Sequence, residues 1–148
     1  MIISFTDKYS FLSNFYNSPI IWSNEKYPTV EHAFQAAKCL CFYNNDSVQI
    51  RLASSPGKAK RLGRKCDLRT DWNLVKITFM TTFIQLKFKD NTLLAKKLRQ
   101  TKPHFICEGN YWHDNFWGDC ICPKCNISQG HNHLGQILMK TRDLLIGI

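Results

Sequence analysis

Three helix starts written in side-chain chemistry fall between Thr29 and Asp71, and they leave little room for any fold that is not largely helical. Thr29 stands before Val30, Ala33, Phe34, Ala37 and Cys41, apolar residues at helical spacing, with Glu31 in the first turn. Ser55-Pro56 places a capping hydroxyl ahead of a proline at the first helical position, which begins a short helix through Arg64. Asp71 caps the longest helix, whose stripe of Trp72, Val75, Phe79, Phe83 and Leu86 runs down to about Lys89. A basic helix follows from Asn91 to Thr101, and a last one runs from about Leu134 to Leu145. Strand signals are short and lie early, at Ile2–Phe5 and Ile20–Trp22. From Pro103 to about Asn132, glycine, asparagine and proline alternate with clustered aromatics and predict loop. The expected fold is mainly α, an α+β chain with a small N-terminal β element, forming a single domain over 1–148.

Composition agrees with one domain: 148 residues with 44% apolar content can bury a core. Aromatic residues at 13% speak against disorder. No apolar run approaches the roughly 18 residues that span a bilayer. The start Met1-Ile2-Ile3-Ser4-Phe5-Thr6-Asp7 has neither the basic opening nor the apolar stretch of a secretory signal. Seven cysteines is an odd number, and Cys39, Cys41, Cys66 and Cys107 sit singly, the pattern of a reducing compartment. A soluble, cytoplasmic protein with no membrane partner is expected. The oligomeric state is not encoded in any pattern here.

The net charge of +9 is unevenly placed. Arg51 to Lys102 holds fourteen basic residues against three acids, whereas the rest of the chain holds six against eight. Such a basic half attracts polyanions by long-range steering, although a set of solvated helix faces would have the same composition.

Three groups of residues could carry chemistry. In Pro28-Thr29-Val30-Glu31-His32-Ala33-Phe34-Gln35-Ala36-Ala37-Lys38, residues Glu31, Gln35 and Lys38 fall on one narrow stripe of a helix. The Cα atoms of Glu31 and Lys38 are then about 10 Å apart, a span that could bracket a sugar-sized group. An exposed polar stripe has the same spacing. The loop Tyr111-Trp112-His113-Asp114-Asn115-Phe116-Trp117-Gly118-Asp119 combines four aromatics with two carboxylates, suited to stacking a flat base and binding a polar sugar. It could equally fold over the core. Arg61 and Arg64 offer guanidinium forks matched to phosphate oxygens, or simply a solvated helix end. Finally, Cys120-x-Cys122-x-x-Cys125, followed by His131 and His133, holds enough soft ligands for one structural zinc, with Cys120, Cys122, Cys125 and His131 as the expected set. A reduced, metal-free loop is the alternative.

At these residues the chain resembles the YbiA-like, or NADAR, family of N-glycosidases. The similar blocks are Ser13-Asn14-Phe15, Pro28-Thr29-x-Glu31-His32-x-Phe34-Gln35-Ala36-x-Lys38, Ser54-Ser55-Pro56, Arg61-x-Gly63-Arg64, Trp72, Trp117-Gly118-Asp119 and Asn132-x-Leu134-Gly135. They occur in order over nearly the whole chain. The resemblance implies a mainly α fold and cleavage of N-glycosidic bonds that join ribose to an amine. Family substrates include ADP-ribose on guanine of nucleic acid and phosphoribosylamino-pyrimidine intermediates of riboflavin biosynthesis. It also implies active-site roles for Glu31, Lys38, Trp117 and Asp119. The expected substrate contacts are Asn14, Phe15, His32, Gln35, Arg61, Arg64, Trp117, Gly118 and Asn132. Two departures touch the rim of such a site: Cys120-Ile121-Cys122-Pro123-Lys124-Cys125 replaces glycine-rich sequence, and His133 stands where some relatives carry arginine.

The chemistry of such a bond makes these roles specific. Ribose on an exocyclic amine can open to an imine, which a lysine of lowered pKa can attack to form a Schiff base. Lys38 is expected as that nucleophile and Glu31 as general acid/base, with Asp119 orienting ribose hydroxyls or water and Trp117 stacking on the substrate. No cofactor is required. Direct attack by carboxylate-activated water is the rival route. The expected substrate is ADP-ribosylated nucleic acid, which gives the basic half of the chain a partner, and a phosphoribosylated small molecule is the alternative. A module that binds ADP-ribose or nucleic acid without cleaving it would have no need of Glu31, Lys38 and Asp119 together.

Overall fold

The computed structural model describes residues 1–41, 44–125 and 129–147. The chain forms two compact units: Asn14–Asp90, and Met1–Ser13 together with Asn91–Ile148.

In the unit Asn14–Asp90, an antiparallel hairpin of β1 (Ile20–Trp22) and β2 (Glu25–Tyr27) precedes four helices. These are α1 (Val30–Ala37), α2 (Asn45–Arg51), α3 (Pro56–Gly63) and α4 (Trp72–Lys89). Helix α1 packs against α2, α3 and α4 and is buried at all eight positions, so it is the axis of this unit. Its start is built as the sequence predicts, with Thr29 Oγ1 accepting the His32 N–H. Ser55 Oγ likewise accepts from Lys58 N at the head of α3, and Pro56 occupies the first turn. Aromatic rings fill the space below. Trp22 meets Phe83 edge-on at 4.9 Å, and Phe34 packs on Trp72 at 4.9 Å.

Three expectations for this unit change. Helix α1 ends at Ala37 rather than near Cys41, because the following backbone pairs elsewhere: Leu40 N–H donates to Asp67 O, and Arg69 N–H donates to Lys38 O. Asp71 stands at the head of α4, but its carboxylate makes no cap bond and is taken by the Arg69 guanidinium at 2.6 and 3.0 Å. The buried face of α4 lies on Met80, Phe83, Ile84, Lys87 and Phe88 along with Trp72, rotated from the expected stripe. Lys87, counted among the fourteen cations, is buried beside the Tyr16 and Phe88 rings, and burial pulls its ammonium down to about 7.

In the other unit, a 3-10 helix at Asp7–Leu12 buries Phe11 and Leu12, and α5 (Thr92–Arg99) packs on α6 (His133–Ile146). Asn91 caps α5 through Oδ1. The strand expected at Ile2–Phe5 shrinks to a single parallel bridge between Ile2 and Ile106, fixed by Ile2 N to Phe105 O and Cys107 N to Ile2 O. Within the predicted loop, β3 (Gly109–Asn110) pairs in parallel with β4 (Asp119–Cys120). Residues 126–128 of that loop lie outside the described residues. No described helix is long and apolar enough to cross a membrane.

Candidate active site

Glu31 sits in the first turn of α1, inside the unit Asn14–Asp90, with only 6% of its surface exposed. One turn on, Gln35 Nε2 donates to Glu31 Oε1 at 2.7 Å. Burial pushes the Glu31 carboxyl above the usual carboxylate range, while the Gln35 hydrogen bond and the cations Lys60, Lys38 and Arg64 pull it back. Lys38 closes α1 as its C-cap and is half-buried. Burial pulls its ammonium below the usual lysine range and Arg64 adds to this, opposed by Cys66, Glu31 and Cys39. The two groups are therefore moved toward each other's range, the acid toward its protonated form and the amine toward its neutral one. Cys39, the thiol adjoining Lys38, is pushed up to about 12 by burial and by its hydrogen bond with Cys66. It remains a neutral thiol and does not compete as nucleophile.

The surroundings explain the flanking motif residues. Gly63 closes α3 directly against Gln35, and a Cβ there would collide with Gln35 Oε1. The Arg61-x-Gly63-Arg64 block thus brings two exposed guanidinium groups to the end of a helix whose glycine makes room for the Glu31–Gln35 pair. Asn14 O accepts the Glu31 N–H, Asn14 Nδ2 rests on Met80 Sδ, and Asn14 Oδ1 is buried without a donor among the described residues. Phe15 presents a ring 43% exposed, with Lys60 Nζ 5.8 Å from its centroid. His32 behaves otherwise: Nδ1 bonds Thr29 Oγ1 at 2.8 Å and Nε2 bonds Ala53 O at 3.0 Å. No ring nitrogen is left for the substrate contact expected of it, and His32 ties α1 to the turn before α3.

The other expected residues lie in the second unit, on the loop before and after β4. Asp114 Oδ1 accepts the N–H groups of Phe116 and Trp117, which turns the chain tightly. The first amides of α6 then donate to this loop, His133 N to Phe116 O and Leu134 N to Trp117 O, so a helix start that would otherwise have unpaired donors holds it. Trp117 is half-buried, edge-on to Phe116 at 4.9 Å. Asp119 Oδ1 accepts Gly130 N–H at 2.8 Å. Gly118 lies so close to Glu108 O that a Cβ would collide with it. Asn132 is buried, with Oδ1 accepting Glu108 N–H at 3.0 Å and Nδ2 donating to Ile106 O at 2.9 Å. Both ends of its amide are spoken for, so it supports the loop instead of reaching a ligand through its side chain.

The expected metal set is corrected at one position. His131 stacks on His133 at 5.5 Å and is not among the gathered donors, whereas His113 Nδ1 lies 3.2 Å from Cys125 Sγ and 3.4 Å from Cys122 Sγ. The histidine that meets the cysteines lies upstream of them, before the turn at Asp114, whereas His131 and His133 follow them in the sequence.

Against known proteins, the NADAR domain profile matches residues 4–146. The N-glycosidase YbiA of Escherichia coli (strain K12) is 35% identical over 144 residues, covering 96% of this chain and 85% of the relative. The chloroplastic riboflavin biosynthesis protein PYRR of Zea mays is 37% identical over 131 residues, covering 82% of this chain and 20% of that longer protein. The solved NMR structure of E. coli YbiA superposes with a TM-score of 0.83 at 34% identity, covering 99% of this chain and 85% of that one. By profile, by sequence and by backbone, the chain belongs to the NADAR family of N-glycosidases.

Proposed function

We propose that this chain hydrolyses the bond between ribose C1′ and an exocyclic amine, with Lys38 as nucleophile and Glu31 as proton carrier. The observation that carries this reading is the Glu31–Lys38 pair, in which burial disfavours both charged forms. Ring opening of the ribose gives an imine at C1′. The neutral Lys38 amine adds to C1′, Glu31 delivers a proton to the nitrogen of the departing base, and the C1′–N bond breaks to leave a lysine Schiff base. Water then adds to the same carbon, the C1′–Lys38 bond breaks, and the sugar leaves as a free aldehyde that recloses. Trp117 and Asp119 keep their expected roles, Trp117 stacking on the substrate and Asp119 orienting ribose hydroxyls or water.

The preferred substrate is ADP-ribose on guanine of nucleic acid. Lys60 and Arg64 lie near enough to Glu31 to act on its charge, and Arg61 sits on the same helix end, so cations are in place for phosphate groups. A phosphoribosylamino-pyrimidine is the second reading, favoured by the riboflavin-related name of the Zea mays relative. A chain whose seven cysteines form no disulfide suits the cytoplasm.

One experiment tests mechanism and substrate together. Purified protein is given an ADP-ribosylated guanine oligonucleotide and, separately, the phosphoribosylamino-pyrimidine, each with and without borohydride. The proposal expects faster turnover of the oligonucleotide, falling steeply with added salt, and a reduced adduct on Lys38 by peptide mass spectrometry. An adduct that persists in Lys38→Ala removes the lysine from its role. Faster, salt-insensitive turnover of the small molecule overturns the choice of substrate.

A further inference from the structure

We propose that His113, Cys120, Cys122 and Cys125 bind one structural zinc ion that clamps the loop carrying Trp117 and Asp119. One donor atom from each of the four residues lies within 4.8 Å of every other. From His113 Nδ1 the sulfurs stand at 3.2 Å (Cys125), 3.4 Å (Cys122) and 3.9 Å (Cys120). In a tetrahedral zinc site with bonds of about 2.3 Å to sulfur and about 2.1 Å to nitrogen, neighbouring ligand atoms are roughly 3.6–3.8 Å apart. The three nitrogen–sulfur distances bracket that separation, and no pair among the four donors exceeds it by more than about 1 Å.

Two further features suit a metal. The Cys122-Pro123-Lys124-Cys125 segment folds into a tight turn, with Cys125 N–H on Cys122 O at 3.1 Å, which brings the Cys122 and Cys125 sulfurs to the same side of the His113 ring nitrogen. Cys120 and Cys122 are buried and Cys125 is half-buried, yet none is in a disulfide. Three thiolates and an imidazole form a soft set that selects zinc over magnesium or calcium. With all four positions taken by protein, no coordination site stays open for water or substrate, which makes the ion structural rather than catalytic.

The placement assigns it a task. The closed segment runs from His113 to Cys125 and encloses Trp117-Gly118-Asp119, and Cys120 adjoins Asp119 in β4. A chain with so little regular structure would be held at one end by Asn110 and Asp114 and at the other by the metal. The zinc is independent of the proposed chemistry at Lys38, and its test reads metal rather than turnover.

Protein produced with zinc in the medium, and purified under reducing conditions without chelator, is assayed by elemental analysis and then refilled with Co²⁺ after removal of the ion. The expected results are one zinc per chain, a tetrahedral Co²⁺ spectrum with thiolate charge-transfer bands, and zinc affinity in His113→Ala reduced at least roughly tenfold, the low end of what even an outer partner of a ligand contributes. His131→Ala is expected to keep full occupancy. Should Cys→Ser variants fail to fold, the wild-type stoichiometry and Co²⁺ spectrum still decide. Metal-free protein whose thiols all react at once, a disulfide among Cys120, Cys122 and Cys125 in intact mass, or loss of the metal in His131→Ala with retention in His113→Ala would each overturn the assignment.

Discussion

Gln35 Nε2 holds Glu31 Oε1 at 2.7 Å inside a helix that is buried on every side. An amide carries a donor and an acceptor on opposite faces, so a flipped Gln35 can accept from protonated Glu31 as readily as it donates to the carboxylate. Gln35 can thereby orient Glu31 in both of the protonation states that the proposed proton transfer requires.

Turnover is expected to follow a bell-shaped pH profile narrower on both sides than the interval between the ordinary values of 4.5 and 10.5. Glu31 is raised and Lys38 lowered, so each break moves inward. Gln35→Leu removes a bond that favours the charged carboxylate and is expected to move the break belonging to Glu31 further alkaline. A profile with its acid break at or below 4.5 would contradict the assignment.

The same shifts predict stability with a definite sign. Glu31 is raised on folding, so the stability tied to its neutral form is fully present below 4.5 and lost as pH rises through its folded pKa. Glu31→Gln, neutral throughout, is expected to abolish turnover yet raise Tm at pH 7 by about 2–4 °C, roughly 1 kcal/mol. That gain vanishes below pH 4.5. For Lys38, lowered on folding, Lys38→Met also stabilises at pH 7, and the gain disappears above 10.5. Thermal melts across pH check both.

Gly63→Ala is expected to destabilise the fold by about 1–3 kcal/mol, because its Cβ meets Gln35 Oε1 and the α1–α3 contact has no slack. Unlike a remote packing defect, it should also shift the pH break assigned to Glu31. Denaturant unfolding and pH-rate curves measured on the same preparation separate the two effects.

Asn132→Ala leaves Glu108 N–H and Ile106 C=O without their side-chain partner, an expected loss of about 1–3 kcal/mol. Substrate KM should change less than Tm if the residue supports the loop rather than the ligand.

Arg64→Ala is expected to weaken binding of an ADP-ribosylated oligonucleotide irrespective of its sequence, and to reduce the slope of log affinity against log salt by about one. Titrations at several salt concentrations measure this directly.

Much of the fold was legible because it rests on local chemistry. Thr29, Ser55 and Asn91 cap the helices they precede, since a cap needs only its own side chain and an amide three residues on. The end of α1 was not legible, because pairing of Lys38–Leu40 with Asp67–Arg69 depends on a segment far along the chain. The facing of α4 was not legible for a related reason: apolar residues surround it, and only its neighbours select Met80, Ile84 and Phe88 for burial.

The candidate site divides along the same line. Glu31, Gln35 and Lys38 belong to one helical stripe, so their order and spacing are properties of the sequence itself. Whether that stripe faces water or the interior is not, and burial is what moves Glu31 up and Lys38 down. The cysteine cluster announced a soft-ligand set, but the choice of His113 over His131 required a turn whose hydrogen bonds run through Asn110 and Asp114. Short-range propensity and spacing therefore determined the helices, the stripe and the thiols. The tertiary structure alone decided burial and the meeting of distant groups, because desolvation and ligand geometry depend on where other parts of the chain come to rest.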